Sequence, residues 1–406
     1  MSVSVDSAAR QNMGAALARG GAFMVARHVA SLGVKLVSVL LIARLLGPAT
    51  YGVFAAAAGL ASFALACGQA GVGVYLIRRA EAIDPRCDAV ANTLLAISSI
   101  AIFLAIATGA DAIEKLVGIS GLAGILRLLG LAIPFQIMIP PALARLERSL
   151  DYRSVAFVEL TGQIIYCAIA ALLAVAGYGA AALPIAFIAQ HVAAFALAHG
   201  FIRDCPRFAW DWTIARDILR YASSFAVSNA IWQARRLVNP LIVGSLLGAH
   251  AVGVIAMTIS LIDMLAGFAA LGWRMTLAAI ARVRDDPRRL RNVIATAMEL
   301  QTLFTGAALL GFGWFGGWII PATIGAQWLP TLTIYPFLAL GALASATFSA
   351  HSAAMTALDR NGAMAAFHIV IVAIFAIAAA TSVSVYGLRG YGYAELAALP
   401  AYILLH

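Results

Sequence analysis

Two stretches of this 406-residue chain resemble each other: LLGPATYGV at residues 45–53 and LLGAHAVGV at residues 246–254. They are 201 positions apart, and the same offset applied without gaps to residues 36–76 gives twelve identities in 41 positions. Chance similarity between two apolar helices is the alternative explanation. The aligned pairs Gly47/Gly248 and Gly52/Gly253 argue against chance, because glycine is favoured at tight turns and where helix backbones approach closely. The repeat predicts two halves, residues 1–203 and 204–406.

The composition predicts that both halves lie in a membrane. Hydrophobic residues make up 63% of the chain and charged residues 11%, with a mean hydropathy of +0.94, whereas about a quarter of a soluble domain is charged. A membrane-spanning helix needs about 20 apolar residues. We therefore predict an all-α polytopic membrane protein with about 12 transmembrane helices, near residues 22–44, 50–77, 88–110, 116–139, 154–176, 180–202, 221–246, 252–280, 292–319, 329–357, 363–386 and 391–406.

The basic residues predict the orientation. On this helix map, eighteen arginines flank the spans on one side, and only Arg44, Lys115 and Arg389 flank them on the other. Cytoplasmic loops retain basic residues, so both termini are predicted to be cytoplasmic. Because each half has an even number of helices, the halves enter the membrane from the same side and form parallel repeats, an arrangement found in alternating-access transporters. The net charge of +9 is then a topology signal and not evidence for binding nucleic acid.

Candidate binding residues are the basic side chains inside predicted spans. Charge within a bilayer is costly unless it faces a wet cavity or a partner, so such residues are functional candidates. Lys35 and Arg236 are related by the 201 offset, and facing cations suit an anion such as phosphate. The predicted substrate-binding residues are Lys35, Arg236, Arg235, Arg27 and Arg274.

Structural roles are the alternatives for several of these charges. Arg27 and Arg274 are close enough to helix ends to extend towards the headgroups, and Arg127 either lies shallow or is paired. The intramembrane acids Glu159, Asp263 and Glu299 are expected to partner a nearby arginine more often than to carry a coupling proton. The four cysteines have no metal-binding spacing, and no nucleotide or hydrolase motif occurs, so we predict no metal, no cofactor and no catalysis.

Four stretches, in order along the chain, resemble the oligosaccharide flippase family of polysaccharide transporters, which includes the Wzx-type flippases of the multidrug/oligosaccharidyl-lipid/polysaccharide exporter superfamily. They are IARLLGPATYGVFA (42–55), PALARLERSLDYRSVAFVEL (141–160), RRLVNPLIVGSLLGAHAVGV (235–254) and GAQWLPTLTIYPFLALGAL (325–343). The resemblance implies two six-helix lobes. It also implies movement of undecaprenyl-diphosphate-linked oligosaccharides across the bacterial inner membrane, for O-antigen, capsule or exopolysaccharide biosynthesis.

The resemblance also implies partners: the lipid-linked oligosaccharide, membrane lipids, and the polysaccharide polymerase and export machinery. The diphosphate would be the anion that Lys35, Arg235 and Arg236 meet. Many relatives carry an acid shortly after the basic pair, where this chain has Asn239 and Pro240, which puts ion coupling there in doubt. Relatives also often have fourteen helices.

Three other functions are less consistent with the sequence. A drug or cation antiporter of the same superfamily would need an acidic cavity, whereas most intramembrane charges here are basic. A membrane enzyme of polysaccharide assembly would need a large outer loop, and none is predicted. A scaffold that does not transport is the third alternative.

Prolines 134, 140 and 141 are predicted to end the fourth helix.

Overall fold

The structure is a computed structural model. It describes the backbone of residues 3–69, 72, 85–149, 151–202, 206–267, 286–357 and 361–405. Within these ranges it describes side chains from residue 31 onward, apart from those of 148, 221–228, 287, 356, 357, 361 and 363. Every regular element in these ranges is helical, and nine of the described helices are long and apolar enough to cross a membrane. The predicted all-α polytopic fold is therefore confirmed.

The described part of the first half contains five helices, and the first of them is broken. Its elements are α1 (Val3–Gln69), α2 (Pro85–Val117), α3 (Leu122–Arg148), α4 (Tyr152–Val175) and α5 (Ala182–Ile202). Gly47 has φ 72° and ψ 170°, a backbone conformation that glycine adopts at little cost, and Pro48 begins the next helical arm. The turn predicted at Gly47 is confirmed, so α1 consists of two helical arms, residues 3–46 and 48–69.

The described part of the second half begins with an irregular helical segment. Its elements are α6 (Trp212–Ala234), a 3-10 turn (Arg235–Leu237), a π-helical turn (Asn239–Val243), α7 (Gly244–Leu265), α8 (Pro287–Thr323), α9 (Thr331–Ala357), α10 (Asn361–Tyr386) and α11 (Leu388–Leu405). Gly248 breaks α7 with φ 76° and ψ −175°, nearly the conformation of Gly47. The repeated sequence thus folds into the same turn twice.

The prediction that three prolines end the fourth helix is wrong. Helix α3 continues through Pro134, Pro140 and Pro141 to Arg148. A proline lacks an N–H donor, but inside a bundle the freed carbonyl groups are satisfied by neighbouring helices and local adjustment, so prolines are tolerated in membrane helices. The basic segment after Pro141 accordingly forms about the last two turns of α3, up to Arg148.

Aspartates begin three helices on the side predicted to be cytoplasmic. Asp151, Asp211 and Asp286 precede α4, α6 and α8, and each accepts hydrogen bonds from backbone N–H groups of the first turn. Such bonds satisfy donors that have no partner within the helix. Hydrogen bonds from the hydroxyl and the amide of Ser154 also hold the pKa of the Asp151 carboxyl below its ordinary value.

The two halves share one packing pattern. In the first half, α4 packs on α5, α3 on α5, α2 on α3, and α1 on both α3 and α4. In the second half, α10 packs on α11, α9 on α11 and α8 on α9, while α7 contacts α9 and α6 contacts α10. The predicted division between residues 203 and 204 lies outside the described residues, so the boundary stays a prediction.

The halves meet through equivalent backbone turns. A Cβ atom added to Gly52 would lie 1.8 Å from the carbonyl oxygen of Ala249, and one added to Gly253 would lie 2.0 Å from that of Pro48. The repeat relates the two contacts to each other, because Pro48 corresponds to Ala249 and Gly52 to Gly253 under the 201 offset. Beside them, the buried Trp328 donates its indole N–H to the Ala43 carbonyl at 2.9 Å. These contacts fix α1 against the second half.

Candidate functional site

A polar cavity of about 370 Å³ lies inside the first half. Helices α1, α3, α4 and α5 surround it, and all of its lining residues belong to segments apolar enough to span a membrane. Apolar groups of Ile139, Leu143, Val158 and Ala194 form part of the wall. Its polar side chains are Ser31, Lys35, Glu159, Gln163, Gln190 and His191. Such a concentration of polar groups among apolar helices marks this cavity as the candidate functional site.

Several of the polar side chains are held in place by hydrogen bonds. The Ser31 hydroxyl donates to Oε1 of Gln163 at 3.1 Å, which joins α1 to α4. Nδ1 of His191 lies 2.8 Å from the Phe187 carbonyl oxygen, and since a carbonyl only accepts, Nδ1 carries the proton. In a neutral ring Nε2 is then an acceptor. The cavity therefore offers acceptors and donors in fixed positions.

Close packing of α4 on α5 sets the cavity's width. Gly162 faces α5, where an added Cβ would lie 3.5 Å from Cγ of Gln190 and 3.7 Å from Cβ of Ala194. These are ordinary van der Waals distances, so a small residue at position 162 suffices for the approach. A larger side chain at this position would project into the cavity that Gly162 lines.

Lys35 stands at the border between this cavity and the second half. Viewed down the axis of α1 at 3.6 residues per turn, the Lys35 side chain leaves the helix between those of Ser31 and Leu32. The angle is about 40° to Ser31 and about 60° to Leu32. Ser31 points towards Gln163, while Leu32 faces Gly267 of the second half, where an added Cβ would lie 3.4 Å from the leucine side chain. The Lys35 side chain is exposed. Its ammonium group is therefore available at the mouth of the cavity.

Arg236 lies where the second half contacts α1. Pro240 has no N–H to donate to the Arg236 carbonyl four residues earlier, and the helix is π-helical there. That carbonyl oxygen would be 3.3 Å from a Cβ added to Gly59. The Arg236 side chain is exposed. Lys35 and Arg236, related by the repeat, thus both lie beside the contact between the halves.

Arg235 is engaged inside the second half. Its guanidinium donates to Glu395 of α11 in an ion pair, and its Cζ atom lies 4.6 Å from the centre of the Phe375 ring of α10. The Glu395 side chain is 9% exposed. Glu395 was not among the predicted residues, although an acid within the last apolar run is the signal that could have identified it. The ion pair and the ring contact together join the 3-10 turn after α6 to α10 and α11.

The two halves differ in the space that corresponds to the cavity. Helices α1, α4 and α5 line the cavity of the first half, and their counterparts by packing are α6, α10 and α11. In the second half the space between those helices holds the Arg235–Glu395 pair and the buried rings of Phe375 and Tyr391, which lie 5.3 Å apart. Helix α9 also approaches closely at Gly341, where an added Cβ would be 2.1 Å from Oε1 of Glu395.

The remaining predicted residues are dispersed. The Arg27 side chain and all of Arg274 lie outside the described residues. Arg127 pairs with Asp111 at 2.5 Å, with both side chains exposed, which is the paired one of the two structural roles expected for it. The five predicted binding residues therefore do not share one described pocket: Lys35 borders the cavity, Arg236 lies beside the contact between the halves, and Arg235 is engaged with Glu395.

Comparison with known proteins places this chain in a family. Residues 41–333 match the sequence profile of a family described as polysaccharide biosynthesis proteins. The chain belongs to this polysaccharide biosynthesis protein family. The matched range includes the cavity residues of α3, α4 and α5, both glycine turns and the Arg235–Arg236 pair, whereas Ser31 and Lys35 precede it. This agrees with the resemblance seen in the sequence.

Individual relatives of this family member are transport proteins. It is 26% identical to the succinoglycan biosynthesis transport protein ExoT of Rhizobium meliloti (strain 1021) over 194 residues. The match covers 47% of the chain and 39% of ExoT, so it spans less than half the length of that relative.

Solved structures share the fold. The lipid II flippase MurJ in an inward closed conformation has a TM-score of 0.72 at 13% identity, covering 94% of this chain and 86% of MurJ. An inward-facing multidrug resistance MATE family transporter of the MOP superfamily has a TM-score of 0.67 at 16% identity, covering 93% and 97%. The family member thus has the fold of a multi-pass membrane transporter.

Proposed function

We propose that this protein is a flippase for undecaprenyl-diphosphate-linked oligosaccharides in polysaccharide biosynthesis. It moves the lipid-linked sugar unit across the bacterial inner membrane by alternating access and makes or breaks no covalent bond. Family membership, the flippase-like fold and the charged groups among apolar helices support the proposal. Its product would pass to the polymerase and export machinery of the polysaccharide.

The observation that carries the proposal is Lys35, a cation bordering both a polar cavity and the second half. A diphosphate that leaves water loses its hydration and needs charged hydrogen-bond donors in exchange. Lys35 and Arg236 would approach it from the two halves. Arg27 and Arg274, which belong to the same predicted spans, are proposed as further contacts. Arg235 shapes the site through its pair with Glu395 and would meet the substrate only if that pair opened.

Movement of the two halves about their contact would expose this site to each side of the membrane in turn. Parallel repeats related by an axis along the membrane normal suit such rocking, and the exchanged contacts of Gly52 and Gly253 are what a two-fold relation produces. We propose lobes at residues 1–203 and 204–406, with both termini cytoplasmic. In this arrangement the cavity and Lys35 lie in the path between the two membrane faces.

The test is transport of a lipid-linked oligosaccharide by the full chain reconstituted in liposomes. Lys35→Ala and Arg236→Ala are each expected to slow transport at least tenfold, and the double variant at least a hundredfold, because each charge-assisted hydrogen bond contributes about 1.5–3 kcal/mol. Arg236→Lys should retain part of the rate, since it keeps charge but loses the forked donor geometry.

Lys115→Ala is the matched control, because Lys115 is an exposed lysine near the end of α2. It should transport at the wild-type rate. Normal transport by the double variant, at equal expression and with an unchanged melting temperature, would contradict the proposed cation contacts. Transport of organic cations with none of lipid-linked sugars would contradict the proposed flippase.

A further inference from the structure

We propose that the polar cavity of the first half binds the hexopyranose attached directly to the diphosphate. The inference rests on the proposed function, since it takes the substrate to be a lipid-linked sugar. The diphosphate would lie at Lys35, at the mouth, and the first sugar ring would enter the cavity behind it. This assigns a sugar subsite to α1, α4 and α5.

The size and polarity of the cavity fit one or two sugar rings. Its volume of about 370 Å³ lies at the lower end of the range of about 300–1,000 Å³ found for small-molecule sites. A pyranose presents hydroxyl groups that each donate and accept a hydrogen bond. Gln163 and Gln190 offer amide groups that do both, and Glu159 accepts. Ile139, Leu143 and Val158 supply an apolar surface for the C–H groups of the ring.

Existing hydrogen bonds orient these groups for a ligand. Oε1 of Gln163 already accepts from Ser31, which directs the amide and leaves its nitrogen with two donor hydrogens. His191 donates through Nδ1 to Phe187, so its other ring nitrogen has the acceptor role in a neutral ring. Side chains fixed in this way lose less entropy on binding than mobile ones. The cavity is therefore partly preorganised for a polyhydroxylated ligand.

The order of the groups along the cavity sets the direction of the substrate. Lys35 is exposed, whereas Ser31, Gln163 and Gln190 are half-buried. A charged diphosphate is costly to dehydrate, so it would remain with the exposed cation while the neutral sugar enters between the helices. Lys35 and Glu159 carry opposite charges on the lining, so the interior is suited to a neutral ring rather than to a second anion.

Among the described residues of the second half, the equivalent space is occupied by protein side chains. The Arg235–Glu395 pair and the rings of Phe375 and Tyr391 fill the space between the counterpart helices, and Gly341 of α9 approaches closely. A sugar would have to break a buried ion pair to enter, which is costly. The asymmetry of the halves therefore assigns the sugar to the first half.

Binding to the full chain in detergent tests the inference. The soluble probes are bare geranyl diphosphate and geranyl diphosphate bearing one hexose, which is either glucose or galactose. The readout is the ratio of the two dissociation constants. In the wild type, the better-bound hexose probe is expected to bind about tenfold tighter than the bare diphosphate, the factor given by about 1.4 kcal/mol. Gln163→Leu and Gln190→Leu keep the side-chain size and remove the polar groups, and each should bring the ratio to within about twofold of one.

Gln136→Leu is the matched control, because Gln136 is a half-buried glutamine of α3 that does not line the cavity. It should keep the wild-type ratio, and melting temperatures show whether each variant is folded. Equal binding of the sugar-bearing and bare probes by the wild type, or an unchanged ratio in both folded Gln163 and Gln190 variants, would overturn the sugar subsite. Lys35→Ala should weaken both probes alike, so its result reports on the proposed diphosphate contact separately from the ratio.

Discussion

Gly52 and Gly253 lie against each other where the two halves meet, and neither position has room for a methyl group. The backbone nitrogen of Gly253 would be 2.9 Å from a Cβ added to Gly52, and that of Gly52 would be 3.0 Å from a Cβ added to Gly253. This reciprocity means that one type of contact is made twice. The repeated glycines are therefore explained by the approach of two backbones, and they set the distance at which the halves pack.

Gly52→Ala or Gly253→Ala should loosen this contact, because the new methyl group would meet a backbone carbonyl oxygen that cannot rotate away. We expect each to destabilise the protein by about 1–3 kcal/mol or more, as overpacking does, and to reduce transport. Melting temperature in detergent and transport in liposomes measure the two effects. Gly124→Ala is the control, since nothing lies within 4 Å of its added Cβ; alanine in a helix should there be neutral or stabilising by up to about 1 kcal/mol. Equal melting temperatures for Gly52→Ala and Gly124→Ala would show that the halves do not pack this closely.

Removing one member of the Arg235–Glu395 pair should be strongly destabilising. Glu395 is buried, and an unpaired buried charge costs about 3–5 kcal/mol, so Arg235→Ala should lower the melting temperature far more than Arg127→Ala. Arg127 pairs with Asp111 in an exposed position, and such pairs contribute about 1 kcal/mol or less. The exchange of charges, Arg235→Glu with Glu395→Arg, should recover part of the loss. A melting temperature for Arg235→Ala equal to that of Arg127→Ala would contradict the buried pair.

Gly341→Ala should displace Glu395, since the added Cβ would lie 2.1 Å from Oε1 and 2.8 Å from Cδ of that side chain. A double-mutant cycle with Glu395→Ala measures the coupling, for which we expect about 0.5–3 kcal/mol. The glutamate-to-alanine change removes the clashing atoms, so Gly341→Ala should cost less in that background. Gly306→Ala, whose Cβ would be 3.6 Å from Leu343, serves as the control in the same cycle. Additive effects of Gly341→Ala and Glu395→Ala would place Glu395 elsewhere.

Reporter fusions test the proposed orientation. Because basic residues concentrate at one set of connectors, fusions after residues 148, 210 and 286 should report the cytoplasm. Fusions after residues 118, 178 and 325, in the opposite connectors, should report the periplasm. The positions lie at or near described helix ends, so the fused reporter leaves most spans intact. Two or more fusions on the wrong side would overturn the orientation and the parallel arrangement of the halves.

Local properties of the sequence determined the membrane character, the helices and the glycine turns. Apolar runs become helices in a bilayer because only a helix or a closed barrel satisfies the backbone there. Gly47 and Gly248 mark turns because other residues rarely adopt a positive φ. The prolines of α3 show the limit of this reasoning, since tertiary packing accommodated Pro134, Pro140 and Pro141 where the local rule predicted a helix end.

The arrangement of charges was decided by the tertiary structure. Sequence spacing brought Lys35 and Arg236 into one hypothesis, but Arg235 pairs with a residue 160 positions away, and Lys35 borders a cavity whose other walls come from α3, α4 and α5. The acid in the last apolar run marks Glu395 as a candidate, but no sequence signal gives its partner or the walls of the cavity. The direction of a side chain between packed helices depends on crossing geometry and on which neighbour excludes water. Hydropathy and backbone preference act within a few residues, so they determined which segments of the sequence form helices. Ion pairs and cavities arise between helices that are distant in the sequence, and only the packing of those helices determined which polar groups meet.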